Sequence, residues 1–163
     1  MADKKFVAWR LSVDGLVEHP GEFSLAQLRA MPSRTQITRH DCVEGWSAIG
    51  QRTGVPLSEV LKIVQPKADA RYVMFYCADP MEEDGTDRYY ESTDMDDAYH
   101  PQTILAHELN GKNLPIENGA PIRARIERQL GYKMAKYIMR IELVQNSPNG
   151  RLVPNQPPSC RGG

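Results

Sequence analysis

Arg39-His40-Asp41-Cys42-Val43-Glu44-Gly45-Trp46-Ser47 sets one thiol where a strand-like segment runs into a Gly-Trp-Ser turn, with ionisable groups on both sides. A thiolate held there can act as a nucleophile, a redox centre or a soft ligand for a metal. Asp41 and Glu44 disfavour the thiolate, Arg39 and a protonated His40 favour it, and the residues alone leave that balance open. His40 lies two positions before Cys42 and therefore on the same strand face, which suits a Cys/His metal pair. No second pair of clustered ligands lies near by in the sequence, which argues against a structural zinc site. A small buried hydrophobe is the competing role for Cys42.

Working outward from this turn, Val7, Trp9, Leu11 and Val13 alternate with polar residues and predict a half-buried strand over 6–13, ended by Asp14-Gly15. Ser24 with Gln27 has the form of a capping box, and Leu25, Leu28 and Met31 mark a short helix that stops before Pro32. Ile37 to Cys42 is a second strand. After the turn, Pro56 sits where a first-turn proline is tolerated, and Leu57, Val60, Leu61 and Val64 share one helical face closed by Pro66. Tyr72 to Cys77 is a β-prone run that delivers a second cysteine to a strand end.

Charge divides the rest of the chain. From 78 to 97, Asp79, Glu82, Glu83, Asp84, Asp87, Glu91, Asp94, Asp96 and Asp97 face the single base Arg88, and a solvated acidic loop is expected. Asp94-Met95-Asp96 lacks the glycine and terminal glutamate of a calcium loop. Asn110-Gly111, between Ile104–Leu109 and a strand starting at Ile122, favours a hairpin or tight connection. From Asn118 to Val144 the balance reverses, with Arg123, Arg125, Arg128, Lys133, Lys136 and Arg140 opposed only by Glu127 before the glutamate at 142. Gly119 and Gly131 let backbone approach a ligand, so this is the natural phosphate-binding region. No P-loop or Rossmann fingerprint is present. Tyr137, Met139, Ile141 and Leu143 predict one face of a last strand.

The 163 residues carry a net charge of -1, which gives no general reason to expect nucleic-acid binding. Length predicts one domain over 1–144, followed by a Pro-, Asn- and Gly-rich tail over 145–163 that reads as disordered and makes Cys160 incidental. Three cysteines, Cys42, Cys77 and Cys160, are too few and too widely spaced for a disulfide framework. Neither a signal peptide nor a long apolar run is visible in the sequence as written.

Cys42-Val-Glu-Gly-Trp-Ser47, Gly54-Val55-Pro56-Leu57, Asn110-Gly111, Asn118-Gly-Ala-Pro-Ile-Arg123 and Gly131-Tyr-Lys-Met-Ala-Lys136 follow one another in an order and spacing that resemble the molybdopterin-binding domain of the sulfite-oxidase family, over about residues 7 to 144. The resemblance is greatest to bacterial members without haem. It implies an α+β, mixed β-rich sulfite-oxidase-type fold and a molybdenum-molybdopterin-dependent oxidoreductase that transfers an oxygen atom on a sulfite-like anion or a sulfoxide. It implies that Cys42 ligates molybdenum, that Asn118, Arg123, Met134, Ala135 and Lys136 hold the pterin and its phosphate, and that Cys77 lies beside the cofactor. Tyr89 matches the active-site tyrosine, with Tyr90 as its competitor. A small-molecule or protein sulfoxide substrate, a separate cytochrome or membrane electron-transfer subunit, no nucleic-acid partner, and a periplasmic location follow from the same resemblance. Family members commonly have a tryptophan at the position of Arg52, and both ends of this sequence differ from theirs. Those departures leave open a non-catalytic pterin-binding or interaction module of the same fold. A thiol enzyme using Cys42 with His40 is the third reading.

Overall fold

The computed structural model describes residues 6–41, 47–80, 88–126 and 134–146; within the strands the side chains of 38–41, 47–48, 79–80 and 88–89 fall outside that description. Two mixed or antiparallel sheets pack around a shared apolar core, with short helices at their margins. The first sheet has the order β2-β1-β10-β5-β6 and the second β3-β4-β7-β8, with β9 also pairing β7.

In the first sheet, β1 (Arg10–Gly15) runs parallel to β10 (Ile138–Val144) and antiparallel to β2 (Gly21–Ser24). On the other side of β10 come β5 (Tyr72–Pro80) and β6 (Arg88–Asp94), both antiparallel to their neighbours. The first strand thus starts later than its alternation suggests: Leu11 and Val13 enter the core, but Val7 is left 69% exposed. The second sheet pairs β3 (Arg34–Asp41) with β4 (Ser47–Pro56), β4 with β7 (Ile104–Leu109), and β7 with both β8 (Lys112–Asn113) and β9 (Arg123–Arg125). Asn110 and Gly111, both at positive φ, turn β7 into β8, as an Asn-Gly hairpin requires.

The helices follow their sequence signals. In α1 (Leu25–Ala30) the Ser24 hydroxyl accepts from Gln27 N–H at 3.1 Å, and the Gln27 side chain accepts from Ser24 N–H at 2.7 Å, which completes the capping box. In α2 (Leu57–Val64), Leu57, Val60, Leu61 and Val64 are all fully buried, each contributing about 1.5–3 kcal/mol of apolar burial.

Two expectations are corrected. The acidic segment is not all solvated loop: 88–94 forms β6, and Met95–Tyr99 forms α3 with Asp94 as its cap, accepting from Asp97 N–H at 2.8 Å. Strand alternation then turns Glu91 and Thr93 inward beside Phe75 and Val73, and Asp97 is buried as well. In β10, Tyr137, Met139, Ile141 and Leu143 do not share a face. A β-bulge between Ile138 and Arg140 changes the parity, so Ile138, Ile141 and Leu143 are buried while Met139 is exposed.

The outer face of the first sheet carries a polar ladder. Arg140 makes three hydrogen bonds to the Asp14 carboxylate, from Nη2 at 2.8 Å and from Nε at 3.0 and 3.1 Å, and lies 5.0 Å from the centre of the Tyr76 ring. The Tyr76 hydroxyl donates to Glu142 at 2.8 Å, and burial together with that carboxylate pushes the phenol up to about 12. Tyr90 packs against Tyr76 at 6.2 Å.

Gly54 sits where β4 crosses closest to β7: a Cβ there would lie 2.2 Å from Leu105 O and 2.6 Å from Ala106 Cα. Gly54→Ala is expected to lower stability by about 1–3 kcal/mol through forced strand displacement. Gly21→Ala, which meets nothing within 4 Å, is expected to change it little. Urea unfolding of both variants checks the contrast.

Candidate functional site

Three segments meet at one end of β9. The 3-10 helix Ile116–Asn118 ends at Gly119, whose φ of 106° is in the left-handed region that favours glycine. A Cβ at Gly119 would fall 2.9 Å from Cβ and Cγ of Lys136 and 3.3 Å from Cβ of Arg123. The bare backbone at 119 therefore lets both cationic side chains pack against it. Arg123 Nη1 donates to Asn118 O at 3.2 Å, Lys136 Nζ to Glu117 O at 3.4 Å, and Tyr137 N–H to Gly119 O at 3.2 Å. Ala124 N–H donates to Ala135 O at 2.8 Å, and Arg125 Nη1 to Met134 Sδ at 3.1 Å. Asn118, Arg123, Met134, Ala135 and Lys136 thus form one cluster.

Its cations are deeply placed. Arg123, Arg125 and Lys136 are 3%, 1% and 8% exposed. On β9 the Arg-x-Arg spacing sends both guanidinium groups to one face, and on that face Arg123 stands opposite Ala106, which stands opposite Gly54. Burying cations is costly without negative charge or well-aligned acceptors. Guanidinium and ammonium groups gathered round a glycine backbone have the donor chemistry that a phosphate-bearing pterin takes.

Cys77 ends up beside this cluster. It pairs with Ile138 across the β5–β10 ladder, its thiol is buried in the core, and the next residue, Ala78, donates its N–H to Tyr137 O at 2.8 Å. Cys42 lies outside the described residues, between the end of β3 at Asp41 and the start of β4 at Ser47. Tyr89 lies on β6, with its side chain outside the description, and Tyr90 faces Tyr76 on the outside of the first sheet. Among the described residues no group of three or more His, Cys, Asp or Glu side chains is arranged to hold a metal ion.

The sequence matches the family described as oxidoreductase molybdopterin binding domain over residues 2–152. The chain belongs to this family. It is 43% identical over 143 residues to the putative protein-methionine-sulfoxide reductase subunit YedZ1 of Azospira oryzae, a match that covers 88% of this chain and 52% of that protein. It is 41% identical over 152 residues to the protein-methionine-sulfoxide reductase catalytic subunit MsrP of Xanthomonas axonopodis pv. citri, covering 88% of this chain and 47% of the other. The chain therefore spans about half the length of these relatives. Its fold matches that of the sulfane dehydrogenase SoxCD from Paracoccus pantotrophus with a TM-score of 0.76 at 23% identity, over 86% of this chain and 39% of that one. The sulfite-oxidase-type resemblance and the α+β fold expected from the motifs are borne out.

Sequence reasoning did not single out Arg125, the most deeply buried of the cations, although the Arg123-Ala124-Arg125 alternation carries the signal. It also passed over His107. This residue is the extra one in a bulge where Thr53 pairs with Glu108 and Gly54 with Ala106. Its side chain is 4% exposed, among the described residues neither ring nitrogen has a hydrogen-bond partner, and a Glu108 carboxylate oxygen lies 4.0 Å from Nδ1. A cavity of about 10 Å³ separates it from Arg29, Asn113 and the Ala120-Pro121 segment. Burial pushes the imidazole pKa down and the Arg29 charge adds to that, with Glu108 opposing.

The folded protein therefore favours neutral His107, whereas the unfolded chain takes up a proton near the ordinary value of 6.5. No stability is lost above that pH. As pH falls below it the unfolded state gains protons first, so the melting temperature should drop. His107→Phe is expected to flatten that acid limb, which a melting series from pH 8 to pH 5 measures.

Proposed function

We propose that this domain binds a molybdenum-molybdopterin group along the buried cationic face and uses it for oxygen-atom transfer on a sulfite-like anion or a sulfoxide. The observation that carries the proposal is the packing of Lys136 and Arg123 against the Gly119 backbone, with Arg125 beside them. Membership of the family supports the cofactor, and the names of the relatives, one of them a catalytic subunit of a protein-methionine-sulfoxide reductase, support a sulfoxide as substrate class. The word subunit in those names also supports a separate partner subunit, and the family resemblance suggests an electron-transfer cytochrome or membrane protein in that role. The domain is taken to end at residue 144, where β10 ends.

When bound, the molybdenum-pterin group supplies two-electron oxygen-atom exchange, so the protein needs no covalent nucleophile of its own. Lys136 and Arg123 bind the phosphate, and their burial keeps that contact strong by excluding water. The Asn118 carbonyl, which accepts from Arg123, fixes the direction of the guanidinium. Gly119 keeps the floor between them open. Cys42 is assigned as the thiolate ligand of the metal, Cys77 as a buried neighbour of the cofactor, and Met134 and Ala135 as part of the segment that would hold the pterin. Tyr89 is assigned as the hydroxyl that orients the substrate oxygen.

Each phosphate contact is charge-assisted, worth about 1.5–3 kcal/mol. Arg123→Ala and Lys136→Ala are therefore each expected to weaken pterin retention roughly 10–100-fold, while Arg10→Ala is expected to leave it unchanged. Cys42→Ala is expected to abolish turnover with an artificial electron carrier. Pterin fluorescence and molybdenum analysis of protein expressed with molybdate, together with sulfoxide or sulfite turnover, check these outcomes. Absence of both molybdenum and pterin from well-folded protein contradicts the proposal, and bound cofactor without any turnover makes the domain a binding module instead.

A further inference from the structure

We propose that Arg52 is a further cation of the cofactor site, touching the pterin beside the phosphate grip at Arg123 and Lys136. This inference rests on the reading that the cofactor lies along the buried cationic face.

Strand register places Arg52 on that face. Gly54 stands opposite Ala106, and Ala106 opposite Arg123, so these three form one row across the second sheet, on the side to which Ala106 and Arg123 project. Arg52 is two residues from Gly54 along β4 and so projects to the same side, as does its partner Gln36 on β3. The bulge at His107 alters parity on β7 only, leaving β4 unaffected.

Burial on the β3–β4 hairpin is the reverse of the usual arrangement. Arg52 and Gln36 are each 7% exposed, whereas Ile37 and Ile49, on the opposite face, are 73% and 77% exposed. Apolar side chains ordinarily go in and charged ones out, so a hairpin with its guanidinium inside and its isoleucines outside has an inner face suited to a polar occupant.

The direction of the side chain is also informative. A Cβ at Gly50 would lie 3.4 Å from Arg52 Nη1 and 4.0 Å from its Cζ. The guanidinium is thus folded back over Gly50, away from Gly54 and towards the hairpin end where Asp41 pairs with Ser47. Gly50 is three residues from Ser47, about 10 Å along a strand. That places the charge over Gly50, on the side of the second sheet nearer the Asp41–Ser47 end of the hairpin. A guanidinium there presents several fixed donors to carbonyl and ring-nitrogen acceptors of a pterin, which an ammonium cannot match in geometry. Its positive charge also favours the more negative, reduced form of the metal group, raising the reduction potential.

The test compares Arg52→Met and Arg52→Lys with the unsubstituted protein, all expressed with molybdate. It measures pterin and molybdenum content, the potential of the metal centre by redox titration followed by electron paramagnetic resonance, and the melting temperature of cofactor-free protein. Arg52→Met is expected to retain roughly tenfold less pterin and to titrate at a lower potential, and Arg52→Lys to recover most of the potential but not the retention. A purely structural arginine predicts otherwise: lower melting of the cofactor-free protein with potential and pterin content unchanged in what remains folded, and that result overturns the inference. Should Arg52→Met fail to fold, Arg52→Lys decides alone, and full pterin retention in it counts against the contact. Cofactor bound normally by unsubstituted protein and by Arg52→Met defeats only this inference. No cofactor in unsubstituted protein defeats it together with the reading on which it rests.

Discussion

Cations buried against a glycine backbone are the constraint on which the rest of this structure depends. Lys136 and Arg123 are held where any side chain at 119 would collide with them, and Arg125 lies deeper still, its guanidinium donating to Met134. Charges withdrawn this far from water are stable only when the surrounding elements hold their acceptors in place. The 3-10 helix supplies carbonyls from Glu117 and Asn118, the β7–β9 ladder fixes the Arg-x-Arg face, and the approach to β10 brings in Lys136. The apolar core of α2 and the two sheets, which requires no charge, makes those elements rigid enough to do so.

The same logic links the two sheets. The run from Met134 into β10 belongs to the site at its start and to the first sheet at its end, crossing from one to the other within a few residues. Cys77, opposite Ile138, and Ala78, whose N–H donates to Tyr137 O, bring β5 up to that crossing. The face proposed for the cofactor is thereby joined to the core of the first sheet through buried side chains.

Much of this was legible in the sequence because it is written in local chemistry. The Ser24–Gln27 box, the Leu57–Val64 stripe, the Asn110-Gly111 turn and the glycine-flanked basic run each announce one structural solution. What stayed hidden depends on partners distant along the chain. The bulges at Met139 and His107 arise from register between strands, so no periodicity within one strand reveals them. An acidic run ordinarily implies a solvated loop, yet β6 pairs with β5 and alternation turns Glu91 inward. In the sequence Arg52 is only a departure from the tryptophan common at its position in the family. Only the second sheet shows it sharing a face with Arg123.

The central claim is that this face grips the phosphate of a pterin. The most direct measurement is a crystal structure of cofactor-loaded protein at a resolution that defines the phosphate oxygens. The account predicts those oxygens within hydrogen-bond distance of both the Arg123 guanidinium and the Lys136 ammonium, beside the Gly119 backbone. A phosphate bound elsewhere, with Arg123 and Lys136 paired to carboxylates of the protein, would contradict it.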